Sequence, residues 1–137
     1  MQRLRHGPLV DAAPGVELWL DGGHNPAGGQ AIAATLARMP KRETHLICGM
    51  LNTKDIAGYL HPLAKVAQSL TAVSIPGEVN TIPAADTAAH SNAIGLPATT
   101  ADSVPDAIKS ITSRHPNARI LICGSLYLAG HVLRENA

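Results

Sequence analysis

Arg119–Ser125 reads RILICGS, and Thr44–Gly49 reads THLICG, so the chain carries the same pattern twice: a short apolar run, a cysteine, then glycine. Each run has the length of a β-strand and is apolar almost throughout, with no polar alternation. A strand of that kind is covered on both faces, which is the condition of strands in a parallel sheet. Two further runs belong to the same class: Val16–Leu20 (VELWL) and Leu70–Ile75 (LTAVSI). Glycine or proline follows most of them, as expected where a strand stops.

Helical periodicity fills the intervals. Gly29–Met39 places Ile32, Leu36 and Met39 on one face, and Pro40 ends it. From Asp55 to Leu70 a stripe runs through Ile56, Leu60, Leu63, Val66 and Leu70, with Pro62 either kinking the helix or opening a new turn. Asp102–His115 opens with Ser103 and Asp106, a pair resembling a capping box, carries Pro105 in its first turn and stops at Pro116. Leu126–Asn136 lines up Leu126, Ala129, Val132 and Leu133. Between residues 76 and 100 the pattern is weaker; a helix over Ala84–Ala93 and a short strand at Ala98–Thr100 are expected. This alternation predicts an α/β fold: a Rossmann-like, open, mostly parallel sheet with helices on both faces, in one domain over residues 1–137. Strand order is not legible.

Composition agrees. Of the 137 residues 45% are hydrophobic but only 2% aromatic, with no Phe, so the core must be built from Ala, Leu, Ile and Val. A formal net charge of +1 gives no reason to expect nucleic acid or an anionic membrane as partner. No stretch approaches the ~20 apolar residues a membrane-spanning helix needs, and the segment Met1–Val10 lacks the apolar run of a signal peptide. Cys48 and Cys123 read as reduced, structural thiols at two equivalent strand ends, which suits a cytoplasmic protein.

Ligands of open α/β sheets bind beyond the carboxyl ends of the strands, and three polar segments fall there. The first is Asp21-Gly22-Gly23-His24-Asn25-Pro26, in which Asn25 and Pro26 read as N-cap and first residue of a helix whose free N–H groups attract anions. His24 stands just ahead of that helix, able to donate to a carboxylate or phosphate. The competing reading is that Asp21 and Asn25 only cap and His24 is solvated. The second segment, Asn52-Thr53-Lys54-Asp55, could bring Lys54 to a phosphate but also reads as an ordinary helix start. The third, Gly124-Ser125-Leu126-Tyr127, offers Ser125 either as a donor to a carboxylate or as a plain N-cap. Neither a dinucleotide G-x-G-x-x-G nor a G-x-S-x-G nucleophile elbow is present. The single placement of each cysteine in a strand argues against zinc held by His24 with a cysteine.

These segments resemble a known family. Leu18-Trp19-Leu20-Asp21-Gly22-Gly23-His24-Asn25-Pro26 is similar to the D-G-A-H-N-P signature of folylpolyglutamate synthases and bifunctional dihydrofolate synthases. Cys48-Gly49-Met50-Leu51 through Lys54-Asp55 resembles their G-x-x-x-D-K-D loop, with Thr53 where Asp is usual. Ile122–Gly130 is similar to their closing C-G-S-L-Y-L-x-G segment. These enzymes belong to the Mur ligase superfamily, and the chain looks like its C-terminal domain.

The resemblance implies an ATP-dependent ligase. ATP phosphorylates the carboxylate of dihydropteroate or a folate, and the amine of L-glutamate attacks the acyl phosphate. It implies that Asp21 and Asn25 contact ATP, that His24 and Ser125 hold glutamate, and that His24 serves catalysis. ATP and Mg2+ are the implied cofactors, with Mg2+ held mainly by an N-terminal ATP-binding domain; no metal ligands are assigned within this chain. No G-x-x-x-x-G-K-[ST] loop occurs in these residues. The family places an ATP-contacting arginine in a G-R-x-Q linker, and Met1-Gln2 would follow that arginine directly, so these residues would start one position too late to include it. The expectation is therefore a chain that folds alone, lacks the N-terminal domain and has no ligase activity by itself. The rivals are the C-terminal domain of a cell-wall Mur ligase, whose loops lack the His-Asn-Pro run, and a free-standing binding domain without catalysis.

Overall fold

The computed structural model describes residues 1–52 and 55–137. Six strands form one sheet: β1 (Gln2–Leu4), β2 (Glu17–Leu20), β3 (Thr44–Cys48), β4 (Ser69–Ala72), β5 (Ala98–Thr100) and β6 (Arg119–Cys123). Their order is β1-β2-β6-β3-β4-β5; β1 runs antiparallel to β2, and every other pairing is parallel. The helices are α1 (Pro8–Asp11), α2 (Pro26–Arg38), α3 (Ile56–Leu63), α4 (Ala84–Ala93), α5 (Val104–Arg114) and α6 (Leu126–Glu135).

The two central strands are the ones with the repeated pattern, and all five residues of β3 and of β6 are buried. Their side chains alternate between two cores, as the pleat requires. Ile47, Ile120 and Ile122 face a layer made by α5 and α6, with Val104, Ile108, Ile111, Leu128 and Val132. Leu46, Cys48, Leu121 and Cys123 face the opposite layer, where α2, α3 and α4 supply Ile32, Leu36, Tyr59, Leu60, Leu63 and Ala88. Helices therefore cover both faces, as expected. Close approach between α2 and α3 depends on Gly29, since a Cβ there would collide with the Tyr59 carbonyl oxygen.

Some boundaries differ from the sequence reading. The stripe from Asp55 to Leu70 becomes a helix only to Leu63, because Pro62 removes a donor and the chain turns over the next residues into β4. That strand covers Ser69–Ala72 rather than Leu70–Ile75. Ser103 accepts from the Asp106 N–H at 3.2 Å, which gives the forward half of the expected capping pair. The edge strand β1 and the four-residue α1 are absent from the sequence reading: with Arg3 exposed and only Leu4 buried, β1 carries almost no periodic signal.

Candidate functional site

The order of strands creates the site. The chain leaves β2, forms α2 on one face, and passes over the position of β6 to reach β3. It then moves outward through β4 and β5, and α5 returns it on the other face to insert β6 between β2 and β3. Adjacent parallel strands β2 and β6 consequently lead into helices on opposite faces, so the loops after them diverge and leave a crevice. That is the place where open α/β sheets receive ligands.

Register fixes which residues meet there. Leu20 pairs with Ile122, and the Asp21 N–H donates to the Ile122 carbonyl at 3.0 Å, so Asp21 continues alongside the end of β6. A Cβ on Gly22 would come within 2.5 Å of Leu126 Cδ2, which puts the two loops in contact. A cavity of about 100 Å3 opens at this point, lined by His24 from the β2 loop, Leu51 from the β3 loop, and Gly124, Ser125, Leu126 and Tyr127 from the β6 loop. His24 and Ser125 thus line one cavity at this rim of the sheet, and Asp21 stands at the head of the loop that carries His24.

Asp21, Asn25 and Ser125 already do local work. Asp21 Oδ1 accepts the Gly23 N–H at 2.7 Å, folding the turn. Asn25 caps α2, its Oδ1 accepting from the Gly28 N–H at 2.8 Å, and its exposed amide N–H2 has no acceptor among the described residues. The Ser125 oxygen accepts from the N–H groups of Tyr127 and Leu128 at 3.0 and 3.4 Å, capping α6. Ser125 is itself 3% exposed and is reached through the cavity it helps to line. His24 is exposed, and its ring makes no hydrogen bond among the described residues. The N-termini of α2 and α6 both open on this rim, which favours negative charge there.

Beneath the rim lie Cys48 and Cys123, directly paired across β3 and β6, both buried and both free. The hydrogen bond with Cys123 and complete burial hold the Cys48 thiol well above its ordinary range. Since the thiolate is the reactive form, it packs rather than reacts. Thr53 and Lys54 lie outside the described residues. Sequence reasoning passed over the apolar members of the lining, Leu51, Leu126 and Tyr127. The signal that could have found them is position: Leu126 and Tyr127 follow a strand end directly, and they are 66% and 57% exposed, unusual for large apolar side chains.

Among the described residues, the rim loops offer few oxygen donors to a divalent magnesium ion. Such an ion needs several oxygen donors. Among the described residues, the loops after β2 and β3 supply only two carboxylates, Asp21 and Asp55.

Comparison with known proteins gives consistent findings. The family described as Mur ligase, glutamate ligase domain matches residues 5–126. A folylpolyglutamate synthase of Lacticaseibacillus casei is 30% identical over 114 residues, covering 82% of this chain and 25% of that protein. Mycobacterium tuberculosis folylpolyglutamate synthase, solved with ADP and AMPPCP, superposes with a TM-score of 0.82 at 28% identity, over 97% of this chain and 30% of its own. Escherichia coli FolC, solved with DHPP and ADP, gives a TM-score of 0.75 at 26% identity, over 89% of this chain and 28% of its own. The chain spans about a quarter to under a third of the length of these relatives.

Proposed function

Since the chain belongs to the Mur ligase family as its glutamate ligase domain, we propose that it is the C-terminal lobe of an ATP-dependent ligase that joins L-glutamate to dihydropteroate or tetrahydrofolate. The supporting observation is the shared rim, where the loops carrying Asp21, His24 and Ser125 meet across β2 and β6.

The chemistry needs an activated acyl group, because a carboxylate is a poor electrophile at neutral pH. Transfer of the ATP γ-phosphoryl group makes an acyl phosphate and releases ADP; the glutamate amine then attacks the acyl carbon and phosphate leaves. In this reading His24 and Ser125 donate to a glutamate carboxylate and set the amine toward the acyl carbon. His24, free of other partners among the described residues, also accepts the proton the amine must lose. Asp21 and the amide of Asn25 turn toward the nucleotide.

Size argues that this rim is one wall of a larger site. A cavity of about 100 Å3 accommodates a carboxylate but falls short of the roughly 300 Å3 or more that a nucleotide-sized ligand occupies. The exposed Leu126 and Tyr127 suit burial against a second lobe, which would hold the ATP phosphates and the divalent metal. Reduced Cys48 and Cys123 fit a cytoplasmic enzyme.

The test is ATP-dependent incorporation of labelled glutamate into dihydropteroate or tetrahydrofolate. It is run with these 137 residues alone and with the polypeptide that also carries a nucleotide-binding lobe. Activity is expected only in the second case, and Asp21→Ala and His24→Ala should each lower turnover there while the fold survives. Glutamate addition by the shorter chain alone, or unchanged kinetics in both variants, would refute the reading.

A further inference from the structure

At the opposite end of the strands, far from the crevice loops, a second cluster of titratable side chains has no part in the proposed reaction. Glu43 and His45 are two residues apart where the chain enters β3, so they lie on one face of the strand. His115 arrives from the C-terminal end of α5, on the layer packed against that face. His45 Nε2 lies 2.8 Å from Glu43 Oε1, and His115 Nδ1 lies 2.9 Å from the same oxygen. Two ring nitrogens from distant parts of the chain therefore aim at one point. The rings themselves stack, with centroids 4.2 Å apart and planes inclined by 27°. Among the described residues, this is the group in which three potential ligand atoms fall within 4.8 Å of one another.

The geometry points to a divalent-cation site of the zinc type formed by Glu43, His45 and His115. Two imidazole nitrogens and a carboxylate oxygen are a donor set for zinc and its neighbours, and three protein ligands leave a further position for water. The carboxylate oxygen now sits where the two nitrogens converge. Glu43 is 46% exposed, so its side chain is free to draw back and bind the ion as third ligand. His45 is already oriented as a ligand, because it is 3% exposed and its Nδ1 lies 2.6 Å from Ser69 Oγ. In the ion-bound arrangement the His45 proton would lie on Nδ1, donated to that hydroxyl, and Nε2, which faces the Glu43 carboxylate at 2.8 Å in this structure, would give its lone pair to the metal once Glu43 draws back. A partner on the second ring nitrogen is the usual companion of metal-binding histidine. An open cavity of about 460 Å3, lined by these three residues together with Ser69 and Arg114, provides the way in. The Arg114 guanidinium is the opposing feature, since it adds positive charge to the same cavity. The inference stands apart from the ligase reading and would survive its failure.

Zinc chloride is titrated calorimetrically into the tag-free, metal-stripped chain, with thermal unfolding followed in parallel. One saturable site per chain is expected, with an unfolding temperature that climbs as zinc is added. His115→Ala, half-exposed at a helix end, and Glu43→Gln should each bind at least about tenfold more weakly. Ser69→Ala, which removes only the hydroxyl that positions His45, should weaken binding by about tenfold at unchanged stoichiometry. His90→Ala, an exposed histidine elsewhere, serves as control and should bind as the parent does. Absence of saturable binding, or parental affinity in either His115→Ala or Glu43→Gln, would overturn the site; circular dichroism of both variants establishes that they are folded.

Discussion

Gly124 is the residue on which the crevice turns, and replacing it by alanine separates backbone geometry from ordinary crowding. Its φ is +111°, outside the range that side-chain-bearing residues favour. A Cβ there would stand 2.6 Å from the Gly49 carbonyl oxygen, 2.9 Å from Cys48 Sγ and 3.1 Å from Met50 Cγ. None of these neighbours can step aside, because Cys48 and Met50 are fully buried and the oxygen belongs to the main chain. The backbone conformation costs on the order of 1–3 kcal/mol, and overpacking at a closed site adds about 1–3 kcal/mol. A total of roughly 2–6 kcal/mol corresponds to a drop in Tm of about 6–24 °C for a chain of this size.

Gly22→Ala is the matched comparison. The atom its Cβ would meet, 2.5 Å away, is the tip of Leu126, a side chain 66% exposed and free to swing into solvent. Its cost should stay within about 0.5 kcal/mol. Urea denaturation followed by circular dichroism, with thermal unfolding as a second measure, reads both variants. If Gly124→Ala loses less than about 1 kcal/mol, or if Gly22→Ala costs as much, then the rim does not depend on the Gly124 backbone and the reasoning fails.

Ser125→Ala should cost about 1 kcal/mol through loss of the cap on α6, and speed amide exchange at Tyr127 and Leu128; Ser125→Thr should restore both, and a neutral alanine variant would show that the cap contributes nothing. Glu17→Gln should be more damaging, by about 2–4 kcal/mol in urea denaturation, because it leaves the Arg119 guanidinium, 3% exposed, without its carboxylate. The same carboxylate predicts an acid limb. Burial pushes the Glu17 pKa up, but the Trp19 indole N–H and the charges of Arg42 and Arg119 together hold it below the ordinary 4.5. Its folded pKa is thus the lower one, so its contribution is full above pH 4.5 and is lost as pH falls through the folded value. Stability measured from about pH 6 downward should therefore decline more gently in Glu17→Gln than in the parent; parallel profiles would exclude Glu17 as the source.

By itself the sequence determined which residues go inside and what kind of sheet they make. RILIC and THLIC are apolar at every pleat position or nearly so, and only strands covered on both faces bury such runs, so a parallel sheet between helical layers follows from local pattern alone. The rim residues were legible for a related reason: Asp21, His24, Asn25 and Ser125 follow strand ends closely, where turn and cap chemistry is local. The tertiary structure decided what stands beside what. Insertion of β6 between β2 and β3 brings residues 21 and 125 to one crevice, and no local signal encodes that order, because it depends on how α5 packs on the far layer. The grouping of Glu43, His45 and His115 has the same origin: two members are neighbours in sequence, but the third lies far along the chain and arrives only when α5 docks. Periodicity reports the environment of a side chain, whereas convergence of distant side chains is a property of the packed layers.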